Sequence, residues 1–274
     1  MKKIITLCVF AAMTMLQLHA QTYQELCGLA ASATEQDSLA LAEKYIRQAL
    51  QLDPSNPHNA LLFSNLGTIQ RTQRRYEEAL DSYTYALNIA PLTVPILMNR
   101  ATLYMELGKD ELARIDYSLV LDRDEANEEA LLMRAYIYMK QRNYPFARAD
   151  YERLLKLNPT HYNGRLGLAM LHQKEKKYEQ ALSVLNPLLV ENKEDALLYV
   201  ARANIEQDMK HTDLALMDLK EAIRLNESLA DTYILRGQIY LEQKKKELAK
   251  QDFEKALALG VPYAELRDLL KQCR

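Results

Sequence analysis

Four arginines and four aspartates stand at one fixed distance along this chain. Arg100, Arg134, Arg202 and Arg236 are followed, sixteen residues on in each case, by Asp116, Asp150, Asp218 and Asp252. A guanidinium and a carboxylate can grip a substrate, exchange a proton or lock two helices together. The first two uses need a site that is made once, whereas this pairing recurs. Where leucine stands in the arginine's place (Leu29, Leu66, Leu168), the acid is missing as well (Tyr45, Ser82, Val184). Charges set between helices behave this way, because a buried charge without its partner is strongly destabilising. The eight residues are therefore read as structural ion pairs.

No other chemistry is spelled out. His58, His161, His172 and His211 are scattered, and none lies three or four residues from another on a helix, so no metal-ligand spacing forms. There is no phosphate-cradling glycine loop and no nucleophile elbow. The reading is a non-enzymatic protein with no catalytic residue, no metal and no cofactor. With 35 basic against 37 acidic residues, the chain also lacks the basic excess that nucleic acid requires.

The elements that carry these residues repeat with a period of 34. In residues 60–93, Phe63, Leu66 and Gly67 are followed by Ala79, Tyr83, Ala86 and Pro91, and the same template restarts at 94, 128, 162, 196 and 230. Position 8 of each copy is glycine or alanine, position 20 is alanine, and position 24 is a large residue such as Tyr83, Tyr117, Tyr151 or Phe253. Small residues where helices touch closely, and large ones where they interlock, let a helix nest on its neighbours. A bundle of unrelated amphipathic helices would have the helical period without this phase.

The spacing resembles the tetratricopeptide (TPR) helix-turn-helix repeat. The resemblance implies an all-α, right-handed superhelical solenoid of about seven repeats, at 23–56, 60–93, 94–127, 128–161, 162–195, 196–229 and 230–263, within a domain of residues 21–274. The stripe of Tyr263, Leu266, Leu269 and Leu270 predicts a capping helix over 262–272 that hides the open face of the last repeat. Pro57-His58-Asn59 breaks the phase, and Asn56-Pro57 predicts a helix lengthened by most of a turn. Thr93 is a candidate cap and Gly108 marks a turn. The fifth repeat departs most: Gly164 and Gly167 weaken its first helix, Arg165 and His172 replace large apolar residues, and Pro187 predicts a kink in its second.

In proteins of this family, positions 2, 5, 9 and 12 of each first helix line the inner surface. The resemblance thus offers Arg71, Met98, Thr102, Met105, Leu132, Tyr136, Met139, Leu166, Met170, Gln173, Asn204 and Gln207 as candidate peptide-binding residues. The middle of this set is apolar and rich in methionine, which adapts to varied partners. The family's carboxylate clamp is absent, since Cys27, Ala31 and Pro95 occupy places it needs. The expected function is a scaffold that binds a peptide or helix of a partner protein in its concave groove. The alternative is a structural or self-assembling envelope protein, a homo-oligomer among its forms, that docks through its convex face or ends.

Residues 1–20 stand apart. Lys2 and Lys3 precede an apolar run from Ile4 to Leu18, and Ala20 precedes Gln21. This describes a secretory signal peptide cut near Gln21, too short to span a membrane comfortably. The expectation is an exported protein, periplasmic or secreted in a Gram-negative bacterium, with no stable membrane insertion after cleavage. Cys27 and Cys273 would remain, at opposite ends of the array and too far apart for an intrachain bridge.

Overall fold

The structure, a computed structural model, describes residues 22–273. These residues form fifteen α-helices and no strand, arranged as seven helical hairpins and a last helix. The expected signal peptide lies outside the described residues. The hairpins are α1 (Tyr23–Glu35) with α2 (Leu39–Leu52), α3 (Asn59–Thr72) with α4 (Tyr76–Ile89), α5 (Val94–Glu106) with α6 (Asp110–Arg123), and α7 (Glu128–Lys140) with α8 (Tyr144–Leu157). Then come α9 (Tyr162–Lys174) with α10 (Tyr178–Glu191), α11 (Ala196–Asp208) with α12 (Thr212–Leu225), and α13 (Ala230–Glu242) with α14 (Lys246–Ala258). The last helix is α15 (Tyr263–Gln272). The chain divides into two compact units between Ala130 and Leu131, within the first turn of α7.

In the first unit α1, α3 and α5 each pack along their own hairpin partner, α2 and α4 pack on the next first helix, and α3 also touches α5. The second unit follows the same rule from α8 to α15. The alternation of small and large residues is what permits this. A Cβ at Gly67 would lie 2.8 Å from the Tyr83 ring, and one at Gly237 would lie 2.6 Å from the Phe253 ring. Ala79, Ala113, Ala147, Ala181, Ala215 and Ala249 are all fully buried.

Each hairpin turns at one residue in the left-handed region, position 15 of the repeat: Asp37, Arg74, Gly108, Arg142, Lys176, Lys210 and Lys244, with φ between 54° and 67°. The following N–H donates to a carbonyl five residues back, as from Arg75 to Gln70 and from Lys177 to His172, at 2.8 Å. This closure satisfies carbonyls that a helix end leaves open. Only Gly108 announces the turn in the sequence. The other six residues adopt a conformation that disfavours a side chain, and five of them are basic, the sign a helix C-terminus attracts.

The arginine–aspartate pairs join the two helices of one hairpin. Arg100 donates Nε and Nη2 to the two carboxylate oxygens of Asp116, both at 2.8 Å. The same two-pronged bond links Arg134 to Asp150, Arg202 to Asp218 and Arg236 to Asp252 at 2.7–2.9 Å. Arg100 and Arg202 also reach back to Thr84 and Asn186 of the preceding hairpin.

Three local expectations are corrected. Pro57 and His58 form a separate turn, closed by the Asn56 side chain accepting from the His58 N–H at 2.9 Å, and α3 starts only at Asn59. The side chain of Asn59 is committed to the Asp53 carbonyl, so the extra residues build a connection and not a longer helix. The Thr93 hydroxyl donates backwards to the Ala90 carbonyl and caps nothing ahead of it. Helix α10 includes Pro187 and ends at Glu191. In α15, Leu266, Leu269 and Leu270 pack on the last hairpin, but Tyr263 is 57 % exposed, because it sits in the first turn beyond the reach of α14.

Candidate functional site

Leu132, Tyr136 and Met139 recur every three or four residues along α7, and Leu166 and Met170 follow the same spacing on α9. That spacing puts each set on a single helix face. The two faces enclose a cavity of about 350 Å³, walled by these five residues together with Met133, Tyr151, Asn163 and Gly167. Tyr136 is 49 % and Met170 46 % exposed, so the apolar wall opens to solvent. Lys140, in the last turn of α7, holds its Nζ 6.0 Å from the centre of the Tyr136 ring.

Tyr151 forms the floor. It projects from α8 and is almost wholly buried against Gly167, where a Cβ would come within 2.5 Å of its ring and 2.7 Å of its hydroxyl. Gly164 admits Leu154 and Leu155 in the same way, at 3.0 and 3.1 Å. The two glycines that weaken α9 as an isolated helix are thus where α8 approaches its backbone. Burial, and next the neighbouring Tyr136 and Asp150, push the Tyr151 phenol up to about 12, so it keeps its proton at neutral pH.

The polar candidates have partners of their own. Arg71 makes a two-pronged bond to Glu106, with Nε 3.1 Å from both carboxylate oxygens. Gln173 donates to Asp208 and Gln207 to Glu242, each at 2.7 Å. These three contacts share one register, position 12 of a repeat to position 13 of the next. Thr102 and Asn204 donate to backbone carbonyls of their own helices, from Met98 and Val200. Met98 and Met105 are partly buried in the first unit. The second unit therefore gathers Leu132, Tyr136, Met139, Leu166 and Met170 round one cavity, while Arg71, Gln173 and Gln207 form rungs between neighbouring helices.

Tyr151, Met133, Asn163 and Gly167 were missed from the sequence. Tyr151 counts there as a packing residue, and only the change of position 9 from threonine (Thr68, Thr102) to Tyr136 hints that its surroundings differ. A wider cleft of about 580 Å³ is lined by residues of turns and helix ends between Asn192 and Leu229, and its Asp195 is engaged by Tyr162 and the Leu197 N–H. His172 is buried, and its Nδ1 has no hydrogen bond and lies 3.9 Å from Glu175. Burial and then Arg148 hold it below its ordinary value. It packs where three other repeats carry a tyrosine: Tyr104, Tyr138 and Tyr240. Among the described residues no group of three or more acidic, histidine or cysteine side chains is placed to hold a metal, and no helix is long and apolar enough to cross a membrane.

Models of the tetratricopeptide repeat match residues 64–128, 128–161 and 230–259. A solved tetratricopeptide repeat protein from Parabacteroides merdae is 36 % identical, with 92 % of this chain and 98 % of that one covered and a TM-score of 0.78. The structure of YrrB, described as a TPR protein with an unusual peptide-binding site, is 18 % identical, covers 73 % of this chain and 97 % of its own, and has a TM-score of 0.58. That likeness concerns the fold alone. DnaJ homolog subfamily C member 7 from Mus musculus is 30 % identical over 97 residues, which is 35 % of this chain. The match spans 20 % of that relative's length.

Proposed function

This chain belongs to the tetratricopeptide repeat family, whose fold serves protein–protein interaction, and on that premise we propose that it binds a peptide or helix of a partner protein on the α7–α9 face. The observation that carries the reading is the open apolar cavity built from Leu132, Tyr136, Met139, Leu166 and Met170. Apolar area left open to water on a folded chain usually marks an interaction site. Apolar anchors of a partner, spaced as on a helix or a strand, would fill such a surface. The reading is that of a non-enzymatic scaffold: the charge pairs are committed to packing, and nothing round the cavity is arranged as nucleophile and base.

The test is a displayed library of random peptides selected on the wild-type protein. Selected peptides should bind Tyr136→Ala with Met139→Ser at least about tenfold more weakly, as expected when central anchors of an interface are lost. The variant's helical circular dichroism should be retained. Equal binding to a folded variant would move recognition away from this face.

A second reading, docking or self-assembly through the outer face, draws on Phe146, Leu214 and Met217, which are 58 %, 49 % and 68 % exposed. It requires a concentration-dependent sedimentation coefficient that Met217→Ser abolishes.

A further inference from the structure

The cavity between α7 and α9 contains a hydrogen-bonding group that the fold itself leaves idle, and we infer that the cavity takes a tryptophan side chain from an acidic partner segment. This rests on the α7–α9 binding reading and narrows it to one anchor.

The argument starts from position 24 of the repeat. In the second repeat Tyr83 occupies it, and its hydroxyl is 3.0 Å from the hydroxyl of Thr68. In the third, Tyr117 is sealed from solvent and its hydroxyl makes no hydrogen bond among the described residues. In the fourth, the threonine is replaced by Tyr136, which turns outward. Tyr151 is only 3 % exposed, lines the cavity, and finds no hydrogen bond for its hydroxyl among the described residues. The hydroxyl can accept a hydrogen bond from a group in the cavity, and Gly167 gives the ring room against the α9 backbone. The arrangement suits a ligand that brings a polar atom to the floor of an apolar pocket.

The walls narrow the choice. Met133, Met139 and Met170 line the cavity, and thioether sulfur packs well against aromatic rings. About 350 Å³ is ample for a large aromatic side chain. The phenol oxygen of Tyr151 can accept, and indole Nε1–H is a donor that accepts nothing, so the two fit without competition. Phenylalanine would fill the space and leave the hydroxyl unpaired. Beyond the opening stands the exposed Lys174, in the last turn of α9. It favours acidic residues next to the anchor.

The experiment uses the full chain and capped hexapeptides with one central tryptophan followed by two aspartates. Matched peptides carry phenylalanine or tyrosine in place of tryptophan, or lysines in place of the aspartates. The protein has no tryptophan, so indole emission reports the peptide alone; calorimetry covers the others. The tryptophan–aspartate peptide should shift its emission to the blue. It should bind about fivefold or more tightly than the phenylalanine and tyrosine peptides, in keeping with the worth of one hydrogen bond. Tyr151→Phe should erase the advantage over phenylalanine and leave the phenylalanine peptide's affinity unchanged. The lysine peptide should bind several-fold more weakly.

No binding at millimolar peptide overturns the inference, as does equal affinity for phenylalanine or tyrosine, an advantage that survives Tyr151→Phe, or indifference to the charge of the flanks. If the aromatic peptides bind alike and Tyr136→Ala with Met139→Ser removes them all, the tryptophan inference falls and the binding face stands. If the double variant keeps the tryptophan preference, both fall.

Discussion

An arginine locked to an aspartate on the facing helix has a cost that depends on where each end sits. Asp150 is 5 % exposed, whereas the Arg134 side chain keeps 18 % of its surface in water. The pair thus lies between a surface bridge, worth about 0.2–1 kcal/mol, and a buried one, where losing one partner costs about 3–5 kcal/mol. Asp150→Asn should cost about 2–4 kcal/mol in urea unfolding, while Arg134→Met combined with Asp150→Leu should recover most of that loss. The pairing was legible in the sequence because both partners come and go together. The environment of His172 was not, since a histidine in an aromatic position says nothing about the charges beside it. Arg148 and Lys177 face it together with Glu175 and Glu152, and burial reinforces the two cations in disfavouring its protonated form. Unfolded His172 takes its proton near pH 6.5, above the folded state, so stability should fall as pH drops from about 7 to 5. His172→Gln should flatten that slope in melting temperatures measured across the interval. Glu175 titrates elsewhere: burial alone would raise it, yet Arg148 and Lys177 hold it below its ordinary 4.5, so its contribution is lost only under more acid conditions.

At the scale of the helix, the sequence marked the hairpins but not how they turn. Phase-locked alanines and glycines placed each contact, since close packing leaves no other residue type room. The left-handed residue at position 15 was visible only at Gly108, because Arg74, Arg142, Lys176, Lys210 and Lys244 carry side chains that ordinarily avoid that conformation. The hairpin closure and the charge at the helix end outweigh the local preference. Lys176→Gly should therefore stabilise the protein by about 0.5–1 kcal/mol, the relief of a left-handed side chain less the extra freedom of an unfolded glycine. Thermal unfolding followed at 222 nm checks this, and a lower midpoint would mean that the lysine's interaction with the helix end dominates. The inserted Pro57-His58 misled for a related reason. A good cap and a proline predict a helix start, but Asn56 closes its own small turn before α3 begins.

For the molecule, the fold commits many of its polar side chains to holding helices together. Four arginine–aspartate pairs lie within hairpins, and Arg71 and the amides of Gln173 and Gln207 form rungs between them. On α7 and α9 the apolar Tyr136 and Met170 stay open to water beside exposed lysines. The sequence located five residues of that cavity through their place in the repeat, and missed its floor because Tyr151 belongs to a position that elsewhere only packs. Methyl-labelled methionine offers the most direct test of the α7–α9 face. The chain has ten methionines, of which Met133, Met139 and Met170 line the cavity and Met217 lies on an exposed outer position. Titrating a selected peptide into the labelled protein should shift the Met133, Met139 and Met170 methyl signals saturably and leave Met217 in place. Saturable shifts at Met217 with the three cavity methionines unmoved would contradict the account.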